Sequence, residues 1–229
     1  MSGDELGIIL LSLKVALASV AFSLPVAIFF AYVLARTDFP GKTLLDAAVH
    51  LPLVLPPVVV GFSLLLLFGK HGVLGAWLED WFGIVFAFRW TGAALASAIM
   101  GFPLMVRAIR LSIAAIDRRL ETVARTLGGS RPWVFVSVTL PLALPGIVTG
   151  VLLSFARSLG EFGATITFVS NIPGETETLP LAIYSLVQTP GGDAQALRLS
   201  LIAVVLSVAA LIVSEWLTRR ARINGRGDD

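Results

Sequence analysis

Five long runs of apolar residues limit what this chain can fold into more than any other feature of its sequence. They cover residues 15–34, 49–68, 91–109, 142–159 and 197–217. A helix of about 20 apolar residues crosses the hydrocarbon core of a bilayer, where the backbone must satisfy its own hydrogen bonds. Only 14% of the residues are charged, whereas soluble domains average about 25%. The sequence therefore predicts an all-α integral membrane protein with five transmembrane helices.

The second apolar run contains a concentration of helix-breaking residues. Pro52, Pro56, Pro57 and Gly61 all lie between residues 49 and 68. A proline leaves a backbone carbonyl without its helical donor, which a membrane tolerates only where protein or water can satisfy it. Two interpretations stay open: a bent helix that only packs against its neighbours, or a helix that lines a pathway and bends during gating.

The segment between the fourth and fifth runs, residues 160–196, contains two shorter apolar pieces. They cover residues 164–169 and 179–187. Each is too short to cross a bilayer as a helix. We expect them to form re-entrant or interfacial elements.

The loop between the third and fourth runs, residues 110–141, is polar but keeps helical periodicity. Apolar residues recur at helical spacing as far as Leu127, and Gly128-Gly129 then provides the usual helix end. Ser130 can cap a second helix. The loop and the helix end before it contain Arg107, Arg110, Arg118, Arg119, Arg125 and Arg131, opposed by Asp117 and Glu121. The pattern predicts two helices, joined by a glycine bend, on a membrane surface.

The distribution of basic residues predicts the orientation of the five spans. Short loops rich in Lys and Arg stay in the cytoplasm. The arginine-rich loop is then cytoplasmic, together with Arg36, Lys42 and the basic tail at 218–229. This arrangement places the N-terminal segment, residues 1–10, outside and the C-terminus inside. It puts twelve basic residues on the cytoplasmic side, against Lys70, Arg89, Arg157 and Arg198 outside.

Several kinds of chemistry are not expected from this sequence. It contains no cysteine and only two histidines, so a metal cluster is not predicted. It has no G-x-x-x-x-G-K-[ST] loop, so we do not expect it to hydrolyse nucleotide. No nucleophile–base pairing or carboxylate dyad stands out, and a nucleic-acid patch does not fit between two membrane spans. We therefore predict a non-catalytic membrane protein without a cofactor.

The arginine-rich loop also carries a recognisable motif. It reads E-T-V-A-R-T-L-G and, after nine residues, V-T-L-P. This resembles the EAA loop of type I ABC importer permeases, whose pattern is E-A-A, three residues, G, nine residues, I-x-L-P. The matching positions are Ala124, Gly128, Leu140 and Pro141, with Val138 in place of isoleucine. The glutamate position holds Thr122, with Glu121 one residue early.

The resemblance extends over residues 11–217 and is closest to the permease subunits of bacterial molybdate importers. The stretches that carry it include H-L-P-L-V-L-P-P-V-V-V-G and F-A-R-S-L-G-E-F-G-A-T-I-T-F-V-S-N-I-P-G-E-T. The resemblance implies the type I permease fold in a multi-pass protein of the bacterial inner membrane. It also implies a homodimer, two cytoplasmic ATPase subunits and a periplasmic molybdate-binding protein. The loop residues Glu121, Ala124, Gly128, Leu140 and Pro141 would then couple to the ATPase.

Molybdate transport is the leading functional hypothesis. A membrane scaffold without transport is one alternative, and two further alternatives are transporters. One is a permease for sulfate, thiosulfate or tungstate, since these anions share tetrahedral geometry with molybdate. The other is a proton-coupled secondary transporter, which requires intramembrane acids. Glu161 is the one acid deep in an apolar stretch of the sequence.

Arg157 and Glu161 form a candidate pathway or gate pair near the outer end of the fourth run. Their spacing of four residues allows them to pair on one helix face. Two interpretations remain: a structural ion pair, or an arginine that presents positive charge to a passing dianion. The hydroxyl groups of Thr165 and Thr167 would add hydrogen bonds near an outer gate.

Overall fold

The computed structural model describes residues 3–224, which form twelve α-helices and one π-helical turn. The long helices are α1 (Gly3–Arg36), α5 (Trp90–Ala115), α9 (Leu144–Leu159) and α12 (Asp193–Asn224). The shorter helices before the polar loop are α2 (Lys42–Val54), α3 (Pro57–Phe68) and α4 (Val73–Phe82). The loop contains α6 (Arg118–Thr126), α7 (Arg131–Val134), the π turn (Phe135–Thr139) and α8 (Leu140–Leu142). The last two short helices are α10 (Gly163–Val169) and α11 (Leu179–Val187).

Helix α5 lies at the centre of the structure and packs against both α1 and α9. Close approach of α5 and α9 depends on residues without side chains. A Cβ atom added at Gly101 would clash with the Ser154 hydroxyl, and one added at Gly146 would clash with Cβ of Ser112. Small residues at such contacts let membrane helices pack backbone to backbone. The buried side chains around them include Met105, Val106, Ile109 and Ile113.

Helix α1 is longer than the span predicted from hydrophobicity. It begins at Gly3, so the described part of the N-terminal segment 1–10 forms its first turns. The polar first turns of α1 can pack against α12 because the buried carboxylate of Glu5 lies 3.1 Å from the guanidinium of Arg198 in α12. Pairing offsets part of the cost of burying this charge.

The second apolar run is two helices, α2 and α3, that meet at 111°. Leu55 and Pro56 between them have extended conformations, with ψ of 142° and 133°. A proline disfavours helical geometry in the residue before it, so the Pro56-Pro57 pair pushes both residues out of the helix. The bend expected from the prolines is therefore a full break.

The fourth apolar run also begins at a break. The segment 131–142 and helix α9 meet at 69°. Pro141 and Pro145 lie four residues apart across this junction, so Pro145 cannot donate to the carbonyl of Pro141. The π turn just before it, Phe135–Thr139, is a second irregularity typical of functional helices.

Among the described residues, the helices that are long and apolar enough to cross a membrane are compatible with five spans. Helices α1, α5 and α12 are each long and apolar enough to cross, and each bent pair adds one crossing if it is counted as a single span. The two short apolar pieces of residues 160–196 are helices α10 and α11, of seven and nine residues, as their length predicted. The sides of the membrane reached by the two ends stay a prediction.

Candidate functional site

Helix α6 of the polar loop is capped at both ends by its own sequence. Asp117 accepts a hydrogen bond from the backbone N–H of Arg119 at 2.9 Å. At the other end Gly128 has φ of +93°, and the N–H groups of Gly128 and Gly129 donate to the carbonyls of Arg125 and Ala124. This is the Schellman arrangement, which favours glycine because only glycine enters positive φ without strain. The glycine bend predicted from the sequence is confirmed.

A second helical segment follows this bend, as expected. Ser130 is the N-cap of α7, and its hydroxyl accepts a hydrogen bond from the backbone N–H of Trp133. From there the chain continues through the π turn to Leu140 and Pro141, which form most of α8. From α7 to α8 the chain is thus a nearly continuous helix, and α6 is held against its π turn by the hydrogen bond from Thr139 to Glu121.

Glu121 faces the interior of the protein, away from the surface of the loop. Its carboxylate lies 3.0 Å from the guanidinium of Arg36, the last residue of α1, and the two side chains are only 8% and 7% exposed. The hydroxyl of Thr139 donates to the same carboxylate at 2.9 Å, and Arg36 also donates to the carbonyl of Ile116. Glu121 therefore holds α6 against the end of a membrane helix and against the π turn.

The outward face of the loop is apolar although the loop is rich in arginine. Leu120, Val123 and Leu127 lie on one side of α6 and are 49%, 56% and 84% exposed, with Trp133 beside them at 56%. A cavity of about 420 Å³ lies at the α6–α7 turn, lined by Leu127, Gly128 and Trp133 among others. Exposed apolar side chains in contiguous groups mark interaction surfaces. The arrangement fits a partner that receives α6 in an apolar groove.

The pair Arg157 and Glu161 forms in the structure, with Nη1 and Oε2 2.6 Å apart. The two residues do not share a helix, because α9 ends at Leu159. The carboxylate of Glu161 is 1% exposed and also accepts from the N–H of Ala164 in the first turn of α10 at 2.8 Å. One carboxylate thus joins the end of α9 to the start of α10, which favours a structural role for the pair.

Thr165 and Thr167 lie on α10, but their hydroxyl protons are already used within the helix. Thr165 donates to the carbonyls of Glu161 and Phe162, and Thr167 donates to that of Gly163. Thr165 is also fully buried. Neither hydroxyl is free to donate to an anion in this conformation, although Thr165 contacts the backbone of Glu161.

A family model described as "Binding-protein-dependent transport system inner membrane component" matches residues 23–223. The match covers most of the chain, including all of the loop motif. The chain belongs to this family. Its members are inner-membrane components of transporters that depend on a binding protein.

Within the binding-protein-dependent transport family, the chain is similar to permeases of molybdenum and sulfate transport systems. It is 60% identical over 222 residues to the molybdenum transport system permease protein ModB of Escherichia coli K12, covering 97% of each chain. It is 57% identical to the protein of the same name from Haemophilus influenzae, covering 94% of each. It is 38% identical to the sulfate transport system permease protein CysT of Escherichia coli, covering 87% of this chain and 70% of that one.

Solved structures support the fold of this family member. A bacterial ABC transporter involved in the import of alginate matches with a TM-score of 0.76 and 18% identity, over 96% of this chain and 80% of that one. The methionine ABC transporter MetNI matches with a TM-score of 0.72 and 15% identity, over 96% and 99%. The type I permease fold is thereby confirmed. With the relatives above, the chain is a permease subunit of an ABC importer.

The sequence did not indicate the long-range ion pairs Arg36–Glu121, Asp46–Arg110 and Glu5–Arg198. Arg36 was used only as a basic residue on the cytoplasmic side, and the Glu121 with which it pairs lies 85 residues further along the chain. Asp46 in α2 accepts from Arg110 in α5 at 2.7 Å, and it was not singled out. The available signal was a charged residue inside or at the end of an apolar helix, which normally requires a partner.

Proposed function

We propose that this permease moves molybdate across the inner membrane in an ATP-driven importer. The identity of 60% over 97% of both chains to a molybdenum transport permease carries this proposal. The sulfate permease relative is more distant, at 38%, so sulfate and thiosulfate are second candidates for the cargo. Tungstate remains a third, because it shares the charge and shape of molybdate.

The coupling to ATP hydrolysis runs through the loop at residues 110–141. The exposed apolar face of α6 docks into a groove of a cytoplasmic ATPase, and Gly128 allows the chain to turn away directly behind it. Glu121 holds α6 from the inner side. Ala124 lies in α6 itself, and Leu140 and Pro141 lie in α8, at the end of the helical segment that supports it. The support for this assignment is the combination of two capped ends, a buried ion pair and an apolar outward face.

The complete importer contains two copies of this chain, two ATPase subunits and a periplasmic molybdate-binding protein. Each copy spans the bilayer five times, with the spans near 15–34, 49–68, 91–109, 142–159 and 197–217. Residues 1–10 begin on the periplasmic side, residues 11–217 form the transport domain, and residues 218–229 form a cytoplasmic tail. Residues 225–229 lie outside the described part of the chain.

Uptake into proteoliposomes tests the proposal. The permease is reconstituted with its ATPase, the binding protein is added outside, ATP is enclosed, and radiolabelled molybdate is followed. We expect uptake that requires ATP, persists with a protonophore and is competed by tungstate more strongly than by sulfate. Uptake abolished by the protonophore would indicate proton coupling instead. Uptake of sulfate at the higher rate would reassign the cargo.

A further inference from the structure

Arg107 is the one basic side chain without a partner among those that the structure describes in helices α1, α2, α5, α9 and α12. The other six each have one. Arg36, Lys42, Arg110, Arg157 and Arg198 form ion pairs, and Lys14 lies 3.7 Å from the ring centre of Trp90. A charge left uncompensated in a membrane helix is costly and normally serves a function.

On the predicted topology Arg107 lies in the cytoplasmic half of α5, and its side chain is exposed on the surface of the single chain. The helix continues for eight residues beyond it, to Ala115, which corresponds to about 12 Å along the axis. One turn further on, Arg110 is neutralised by Asp46 at 2.7 Å. The uncompensated positive charge of this region therefore belongs to Arg107.

Arg107 lies where two cavities meet. One, of about 390 Å³, lies between α5 and α9 and is lined by Leu104, Ser112 and Thr149 among others. The other, of about 290 Å³, extends towards α2 and is lined by Asp46, His50 and Arg110. Both are large enough for a tetrahedral oxyanion with some water, and Arg107 contributes to both linings.

The first cavity offers few hydrogen-bond donors other than this arginine. The hydroxyl of Ser112 donates to the carbonyl of Ala143, and that of Thr149 donates to Pro145. These hydroxyl protons are therefore already used in bonds to the backbone. A guanidinium group presents five N–H donors in a planar fork, which matches two oxygens of an oxyanion at once.

We propose that Arg107 binds the transported oxyanion in the cytoplasmic half of the pathway, between α5 and α9. The proposal rests on the cargo assigned under the proposed function, a tetrahedral dianion. A single uncompensated cation attracts such an anion during transit, while the Asp46 carboxylate nearby limits how strongly the region retains it. Neither the loop motif nor the Arg157–Glu161 pair is involved.

The first test compares Arg107→Gln and Arg107→Lys with the control Lys70→Gln, which removes an exposed basic residue before α4. We expect the glutamine variant to lower the maximal uptake rate at least about tenfold, equivalent to about 1.4 kcal/mol. The lysine variant should recover part of the rate, and the control should match the parent protein. The external molybdate concentration for half-maximal uptake should stay unchanged, because the binding protein sets it.

A second test uses the absence of cysteine from the sequence. The variant Arg107→Cys is treated with an aminoethyl reagent, which adds a positive charge, or with a sulfonatoethyl reagent, which adds a negative one. Restored uptake after the aminoethyl reagent alone supports the proposal. Restoration by both reagents, or by neither when labelling is complete, overturns it because charge would not be the required property.

A failure of the Arg107 proposal can be told apart from a failure of the proposed function. If the parent protein takes up no molybdate, the cargo assignment fails, whatever the Arg107 variants do. If the parent transports molybdate and Arg107→Gln transports it equally fast, the cargo assignment stands and the Arg107 proposal is refuted. ATP hydrolysis stimulated by the loaded binding protein should persist in the glutamine variant, which separates a pathway defect from a folding defect.

Discussion

The ion pair between Arg36 and Glu121 makes the most specific energetic prediction. Replacing Glu121 by alanine leaves the Arg36 guanidinium without its carboxylate and the Thr139 hydroxyl without its acceptor. Removing one partner of a buried pair costs about 3–5 kcal/mol. Two features reduce that cost here: Arg36 keeps the carbonyl of Ile116, and a cavity of about 730 Å³ beside the pair can admit water.

We therefore expect Glu121→Ala to destabilise the permease by about 2–3 kcal/mol. For a chain of this length each kcal/mol shifts the midpoint of thermal unfolding by about 2–4 °C. The apparent midpoint should fall by about 4–12 °C, which tryptophan fluorescence of the detergent-solubilised protein can follow. Transport should fall further than the folded fraction does, because α6 loses its attachment to α1.

A double-mutant cycle isolates the pair itself. Arg36→Gln and Glu121→Gln each remove one charge while keeping a hydrogen-bonding group of similar length. If the pair interacts as the 3.0 Å separation indicates, the double variant should be more stable than the sum of the single effects by about 1–2 kcal/mol. Strict additivity of the two effects, within about 0.5 kcal/mol, would refute the buried-pair interpretation.

Three further predictions concern the loop, the outer pair and the topology. Gly128→Val should strain a residue at φ of +93° by about 1–3 kcal/mol and should uncouple ATP hydrolysis from uptake while insertion stays normal; full uptake would argue against loop docking. The neutral pair Arg157→Gln with Glu161→Gln keeps an acceptor for α10, so most uptake should survive if the pair is structural, and a large loss would favour an anion pathway. A cysteine at Ser2 should react with an impermeant thiol reagent from outside and one at Gly227 should not; the reverse labelling would overturn the five-span topology.

Interactions between residues close in the sequence made the two helices of the loop and the glycine bend between them predictable. The ends of α6 depend on Asp117, Gly128 and Gly129, and α7 begins at Ser130; each acts through backbone groups within five residues of itself. Such interactions depend on short stretches of sequence, which can be analysed without knowing the fold. The same holds for the short helices α10 and α11, whose length alone excluded a crossing.

Contacts between distant residues could not be predicted in this way. Glu121 resembled a loop residue that faces a partner, and its burial follows from the end of α1 lying next to α6 in space. Likewise, the pairing of Arg157 with Glu161 was expected, but the second role of Glu161 at the start of α10 depends on where the chain turns after Leu159. These positions are set by tertiary packing, for which a spacing pattern contains no information.

The break between α2 and α3 has a mechanical consequence. Pro56 and Pro57 have no N–H to offer to the carbonyls of Pro52 and Leu53, and no described backbone hydrogen bond joins residues 42–54 to residues 57–68. In a continuous helix, rotation at this point would first have to break bonds worth about 1 kcal/mol each. Here those bonds never form, so the two halves can change their angle without an enthalpic barrier from the helix itself. Apart from the limits that the two proline rings set on φ, the angle is held by neighbouring helices: Gly61 of α3 lies close to the backbone of Ala164 in α10, and Asp46 of α2 pairs with Arg110 of α5.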